Sequence, residues 1–218
     1  MGPVPAPSEP GAGRRERRKA VTRRELLHAG RRLFGEKGLY ESRIEDLTRR
    51  AGIAKGTLYL YFRSKEDLIH AVAAQGFDEL HQEMVRACRG ARTVRDLSGR
   101  IAWAHLTFFA RHPDLMLVFH QVRGMLKFNR PRWQPLRGLL AAHLDRIAAL
   151  HGALPEGKAP RPAVRARLAI VLFGAVSGAA SVRAVVRPGA SLDPWRRDLA
   201  AAAGSLAEAF IRSEEDET

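Results

Sequence analysis

Cysteine occurs once in this 218-residue chain, at Cys88, so no intrachain disulfide can form and no thiolate metal cluster can assemble within one copy. A reducing, cytoplasmic setting is expected. Uncharged apolar runs are short. The longest, Leu168 to Val182, lies between Arg167 and Arg183, falls below bilayer-spanning length, and is expected as a buried helix with no membrane partner. The opening MGPVPAPSEPGAG has no apolar core of signal-peptide type. Strand-type alternation and internal repeats are missing too, which leaves an all-α fold. Catalytic signatures are equally scarce: there is no Gly-x-Ser-x-Gly, no phosphate loop and no dinucleotide fingerprint. His105, His112 and His120 fall seven and eight residues apart, not at the i, i+4 spacing of a helical metal pair. Neither an enzyme nor a bound metal or cofactor is expected.

Positive charge is abundant. The formal net charge is +14, and residues 1–70 hold 16 Lys/Arg against 9 Asp/Glu, half of the excess in a third of the chain. Clustered cations neutralise phosphates, so the N-terminal third is the expected nucleic-acid face.

Within it, SRIEDLTRRAGIAKGTLYLYFRSKEDL, Ser42 to Leu68, reads as two short helices around a glycine turn followed by a third helix start. Gly52 can take the positive φ that ends one helix and redirects the chain. Ile44, Leu47 and Ala51 precede it at helical spacing, and Ile53, Leu58 and Phe62 supply the second apolar face. A helix-turn-helix lays its second helix in the major groove, so Lys55, Thr57, Tyr59 and Tyr61 become candidate DNA contacts, with Gly56 allowing close backbone approach.

These residues, together with Phe34-Gly35-Glu36-Lys37-Gly38 and Ser64-Lys65-Glu66-Asp67-Leu68, resemble the N-terminal domain of TetR-family transcriptional regulators over about Thr22 to Leu68. The resemblance implies a three-helix DNA-binding head and a larger helical body that dimerises and binds a small-molecule effector. It implies a DNA surface at Lys55, Gly56, Thr57, Tyr59, Tyr61 and Lys65. Three positions depart from the usual pattern: Arg43, Thr48 and Leu60. Arg43 and Thr48 join the candidate contacts, and the operator sequence does not transfer from relatives.

The expected organisation is a disordered basic arm over 1–20, the head over 21–68, the body over 69–213 and an acidic tail over 214–218, with about nine helices. Capping boxes at Thr22/Glu25, Ser42/Glu45, Ser64/Asp67 and Thr93/Asp96 mark helix starts. The first helix then covers Arg23 to Lys37 and ends at Gly35 or Gly38. Later helices are expected from Lys65 towards Cys88, Val94 to Arg111, Pro113 to His120, Leu136 to His151, Val164 to Val186 and Trp195 to Arg212. Between Arg123 and Pro135 a loop or irregular helix is expected.

One small head reads few base pairs, so two heads on a palindromic double-stranded operator are expected, and the body must dimerise. The resemblance puts the interface on the last two helices, at Gly174, Ser177, Gly178, Ser181, Ala203, Leu206 and Phe210. The central helices would enclose an effector pocket lined by Trp103, His105, Phe109, Met116, Phe119, His120, Arg123 and Phe128. The function expected is a homodimeric repressor released from DNA by a small, largely apolar ligand. Two alternatives stay open: a regulator answering an anionic acyl-thioester through Arg123, Lys127, Arg130, Arg132 and Arg137, and a nonspecific architectural DNA binder.

Overall fold

The computed structural model describes residues 10–127, 130–186 and 193–216. These form α1 (Pro10–Glu41), α2 (Ile44–Ala51), α3 (Lys55–Tyr59), α4 (Lys65–Ala87), α5 (Val94–Arg111), α6 (Pro113–Leu126), a 3-10 turn at Pro131–Trp133, α7 (Gln134–Gly152), α8 (Pro162–Val186) and α9 (Asp193–Asp216), with no strand among the described residues. The chain divides into two compact units, Met1–Val72 and Ala73–Thr218. The division falls inside α4, which contributes residues to both.

In the first unit, α1 to α3 and the start of α4 enclose Leu26, Leu33, Phe34, Leu39, Leu47, Leu58, Phe62 and Leu68, all buried. Gly30 lets the chain segments approach closely, because a Cβ there would sit 3.3 Å from a Leu68 methyl. Gly38 (φ 78°, ψ 164°) is non-helical inside the span of α1, so the regular helix ends there as expected. Its N-terminal end differs from expectation. The helix begins at Pro10 instead of after residue 20, and residues 13–20 are exposed throughout. Proline is tolerated in a first turn and the Arg/Glu/Lys/Ala run that follows consists of good helix formers, so local propensity extends the helix without any packing. Thr22 and Glu25 therefore lie inside a helix and mark no start.

The second box is shifted by one residue. Arg43 is the N-cap, its backbone N–H donating to the Asp46 carboxylate at 3.4 Å, while the Ser42 hydroxyl donates to the Gly38 carbonyl at 2.5 Å. The remaining two boxes form their serine or threonine cap. The Asp67 N–H donates to Ser64 Oγ at 3.1 Å and the Asp96 N–H to Thr93 Oγ1 at 3.1 Å.

α2 ends in a Schellman motif: the Ile53 N–H donates to the Thr48 carbonyl at 3.1 Å and the Gly52 N–H to the Arg49 carbonyl at 3.4 Å, with Gly52 at φ 63°. A Cβ at Gly52 would meet nothing within 4 Å, so the demand for glycine is conformational and not steric. Gly52→Ala is expected to destabilise the first unit by about 1–2 kcal/mol, the cost of a left-handed conformation for an L-residue, measurable by thermal melting.

In the second unit, α5 packs along α9, and α7 along α8. The α5–α9 crossing depends on two glycines. A Cβ at Gly204 would lie 2.7 Å from the Arg95 carbonyl oxygen, and one at Gly99 would lie 3.1 Å from that of Ala200. α6 runs on to Leu126, beyond the expected end at His120, since Val122 and Met125 continue its buried face. A single Gly124 costs a helix about 1 kcal/mol, less than leaving those two side chains in water. The expected acidic tail is helical as far as Asp216.

α8 is long and apolar enough to cross a membrane by length and composition. Leu168, Ala169, Leu172, Phe173, Val176 and Ala180 are nevertheless buried against the unit's own helices.

Candidate functional site

The Schellman turn sends the chain directly into α3, whose Leu58 is fully buried and anchors it. With that anchor fixed, Lys55, Gly56 and Tyr59 are exposed, whereas Thr57 and Tyr61 are half-buried. A Cβ at Gly56 would meet nothing within 4 Å, so an approaching surface finds bare backbone there. Arg43 is exposed at the start of α2. Lys55 donates to Glu45 at 2.6 Å, which raises the lysine pKa and lowers the carboxylate's. Lys65 is half-buried, its ammonium 3.4 Å from the Tyr40 carbonyl, and desolvation depresses its pKa.

Seven of the eight expected contact residues thus carry accessible surface. Thr48 does not: it is buried, and its hydroxyl donates to the Glu45 carbonyl one turn back at 3.1 Å. Three exposed large apolar side chains of the first unit were not among the expected contacts, Val21 at 43%, Tyr40 at 63% and Leu60 at 77% exposure. Tyr40 lies between Gly38 and the N-cap of α2, where sequence alone gives no periodicity that assigns its face.

In the second unit the expected pocket residues divide. His105, Phe109, Met116 and Phe119 are buried together. His120 is exposed and Trp103 is 41% exposed, so neither lines that core; the side chain of Trp103 instead faces α9, with the Arg196 guanidinium 5.0 Å from its ring centre. An open groove of about 680 Å³ runs there between α5 and α9, lined by Arg95, Arg100, Trp103, Ala200 and Gly204 among others. Arg123 is half-buried, donating to Ser177 Oγ at 2.5 Å and lying 6.0 Å from the Phe173 ring. Phe128 lies outside the described residues.

Sequence reasoning missed the central member of this core. His143 on α7 is 1% exposed and its ring stands 4.5 Å from Phe77, 5.4 Å from Phe173 and, edge-on, 6.2 Å from His105. Phe77 in turn stacks on Phe119 at 4.2 Å. Burial pushes the His105 pKa down to about 3, with Arg123 adding to the shift, and that of His143 down to about 2, with His105, His81 and Arg146 adding. Both are neutral imidazoles at physiological pH. His105 Nε2 and both ring nitrogens of His143 have no hydrogen-bond partner among the described residues. His151 shows the contrasting case, with Nε2 2.9 Å from Ser98 Oγ and Nδ1 3.1 Å from the Ile147 carbonyl. A buried polar atom without a partner costs about 1–3 kcal/mol, so this cluster is energetically unlike ordinary core.

The expected subunit interface also divides. Ser177, Ser181 and Ala203 are buried inside the single chain. Ser177 and Ser181 donate back along α8 to the carbonyls of Phe173 and Ser177. Gly174 and Leu206 are exposed, and Gly178 and Phe210 half-buried. The two glycines fall in a stripe at every fourth residue of α8: Ile170, Gly174, Gly178, Val182 and Val186, with Ile170, Val182 and Val186 58%, 62% and 68% exposed. Unlike Gly99 and Gly204, neither Gly174 nor Gly178 has anything within 4 Å of its would-be Cβ. Nothing among the described residues explains two helix-interior glycines there.

Comparison with known proteins places this geometry. Residues 26–72 match the family model described as bacterial regulatory proteins, tetR family. The chain is 23% identical over 133 residues to the fatty acid metabolism regulator protein of Bacillus subtilis, a match spanning 61% of this chain and 66%, just under two thirds, of that relative. It is 24% identical over 163 residues, 72% of this chain and 77% of the relative, to the HTH-type transcriptional regulator TtgR of Pseudomonas putida. Among solved structures, the transcriptional regulator FadR from Bacillus subtilis in complex with stearoyl-CoA has the same fold. Its TM-score is 0.65 at 18% identity, and the match covers 86% of this chain and 96% of that one.

Proposed function

Since residues 26–72 make this chain a member of the tetR family of bacterial regulatory proteins, we infer that it is a homodimeric, sequence-specific repressor released from a palindromic operator by a small, largely apolar ligand. The observation that carries the reading is the α2–Gly52–α3 arrangement, which buries Leu58 and leaves Lys55, Gly56 and Tyr59 exposed on one short helix. Lys55 and Thr57 are suited to base edges, and Arg43, Tyr59 and Lys65 to phosphates. Phosphate competes with Glu45 for Lys55, so the ion pair keeps the ammonium placed without neutralising it permanently; exposed pairs are worth only about 0–1 kcal/mol.

The α8 stripe supports the dimer. Each helix-interior glycine costs about 1 kcal/mol relative to alanine, and the close approach of a second copy's helix would use the surface that Gly174 and Gly178 leave open. On α9, Leu206 is a further exposed apolar side chain, at 41%.

For the effector, the buried ring cluster around His105 favours a neutral ligand. The acyl-thioester alternative draws its attraction from the solved relative bound to stearoyl-CoA. Two of the cations it would use are already engaged: Arg137 donates to the Leu126 carbonyl at 2.9 Å and Arg132 lies 5.4 Å from the Trp133 ring. A ligand that binds better to a state of the dimer whose head spacing mismatches the half-sites lowers operator affinity by that difference in affinity alone.

The test is a pair of variants in a salt titration. Lys65→Ala is expected to weaken binding to every duplex and to reduce the slope of log affinity against log salt by about one. Thr57→Ala is expected to leave the slope unchanged and to relax sequence preference. Equal behaviour of the two variants on operator and random duplex would favour the architectural alternative.

A further inference from the structure

His105 Nε2 and both ring nitrogens of His143, unpartnered among the described residues, lie inside a shell of rings contributed by four helices: Phe77 on α4, His105 on α5, His143 on α7 and Phe173 on α8. A purely structural core position of this kind would be filled at lower free energy by phenylalanine, which has nearly the same shape and no polar atom to desolvate. Two histidines 1% exposed, meeting edge-on at 6.2 Å, are therefore an unsatisfied polar element in an apolar wall, the composition of a small-molecule site. Each neutral imidazole offers one N–H donor and one nitrogen acceptor. Arg123, the nearby cation, is held by Ser177 Oγ at 2.5 Å.

We propose that the His105–His143 pair is the recognition element for an uncharged hydrogen-bonding group, a hydroxyl or a carbonyl, carried on a hydrocarbon body, and that this site rejects carboxylates. The proposal rests on the reading of the second unit as the effector-binding body and specifies the chemistry of its ligand. The hydrocarbon parts Phe77 from Phe119 and Phe173 from the histidines; a hydroxyl can both accept from an imidazole N–H and donate to an unprotonated ring nitrogen, whereas a carbonyl can only accept from an N–H. A carboxylate at the same place brings a charge that two neutral imidazoles do not balance, and Arg123 could balance it only by giving up its bond to Ser177 Oγ.

Four probes matched in their aromatic body test this on the full-length protein by calorimetry: 2-phenylethanol (hydroxyl), phenylacetone (carbonyl), phenylacetate (carboxylate) and ethylbenzene (no polar group). At least one neutral polar probe is expected to bind tenfold or more tighter than phenylacetate and ethylbenzene, and whichever does so identifies the hydroxyl or the carbonyl as the preferred group. It is expected to shift the imidazole ¹⁵N resonances of His105 and His143, whereas ethylbenzene leaves them in place. His143→Phe is expected to melt at a higher temperature than the parent without ligand and to lose the tenfold preference. Tightest binding by phenylacetate, no preference among the probes, or a preference that survives His143→Phe overturns the proposal. Binding of the parent protein to its own upstream duplex is measured alongside. If it fails, the regulator reading fails; if it persists while the probes show no preference, only the ligand chemistry is wrong.

Discussion

Replacing Gly178 and Val182 together by glutamate is expected to yield a folded monomer whose affinity for a two-half-site duplex is lower by roughly 10²–10⁴-fold, the range by which linking two binding modules exceeds one. Both positions carry accessible surface in the single chain, and Val182 is 62% exposed, so the substitutions leave the buried face of α8, from Leu168 through Ala180, untouched. In a dimer through the Ile170–Gly174–Gly178–Val182–Val186 stripe, however, they place like charges against one another where two helices meet. Removal of interface charge from water without a partner costs several kcal/mol, more than a small apolar interface supplies. Sedimentation gives the oligomeric state, circular dichroism the fold, and gel shift the affinity. Gly204→Ala is the contrasting control: its Cβ would lie 2.7 Å from a backbone oxygen of the same chain, so it is expected to lower thermal stability without changing the state of association. A double variant that remains dimeric would move the interface elsewhere.

Acidification is expected to unfold the second unit earlier than a helical body of this kind would otherwise unfold. His105 and His143 titrate near 6.5 in the unfolded chain but at about 3 and about 2 when buried. Above pH 6.5 both states hold them neutral and nothing is lost. Below it the unfolded chain binds protons that the native chain refuses, so stability falls with falling pH until the native values are reached. The slope is about 1.4 kcal/mol per pH unit for each group, and a few units suffice to consume the ~5–15 kcal/mol by which ordinary domains are stable. The sign is the same for the His81 and His151 shifts, which are also downward. Urea melts between pH 7 and pH 4 measure the slope. Removal of both core imidazoles as His105→Phe/His143→Phe is expected to flatten it markedly, and an unchanged slope would show that these two groups do not govern acid stability.

How much of this was legible in the sequence differs between the two units. The head was legible because its determinants are local. Gly52 must be left-handed to close a Schellman turn, Leu58 and Phe62 fall at helical spacing, and Ser64 caps the helix that follows. Thr93 and His112-Pro113 fixed α5 for the same reason, and its bounds, Val94–Arg111, agree with expectation. The misassigned residues share a cause, which is that the face a side chain takes is decided by distant packing. Ser177 and Ser181 look as small and surface-compatible as Gly174 and Gly178, yet a one- or three-residue step along α8 buries them, Ser177 against Arg123 of α6. Thr48 is polar but satisfies its hydroxyl on its own helix, so burial costs it little. His143 has no neighbour in sequence that marks it, because Phe77, His105 and Phe173 come from three other helices. The extension of α1 back to Pro10 reversed an expectation built on composition: a charged run can be helical without packing when its residues are strong helix formers.

Sequence-specific reading of DNA by α3 is tested by competition at a fixed salt concentration near physiological strength. Full-length protein on a labelled duplex from the region upstream of its own gene is challenged with unlabelled copies of that duplex and with random duplex of equal length. The upstream duplex is expected to compete at least about 10³-fold more effectively, the lower bound for specific over nonspecific binding, and Thr57→Ala is expected to reduce this ratio while Lys65→Ala lowers both affinities together. Equal competition by the two duplexes would contradict sequence-specific reading.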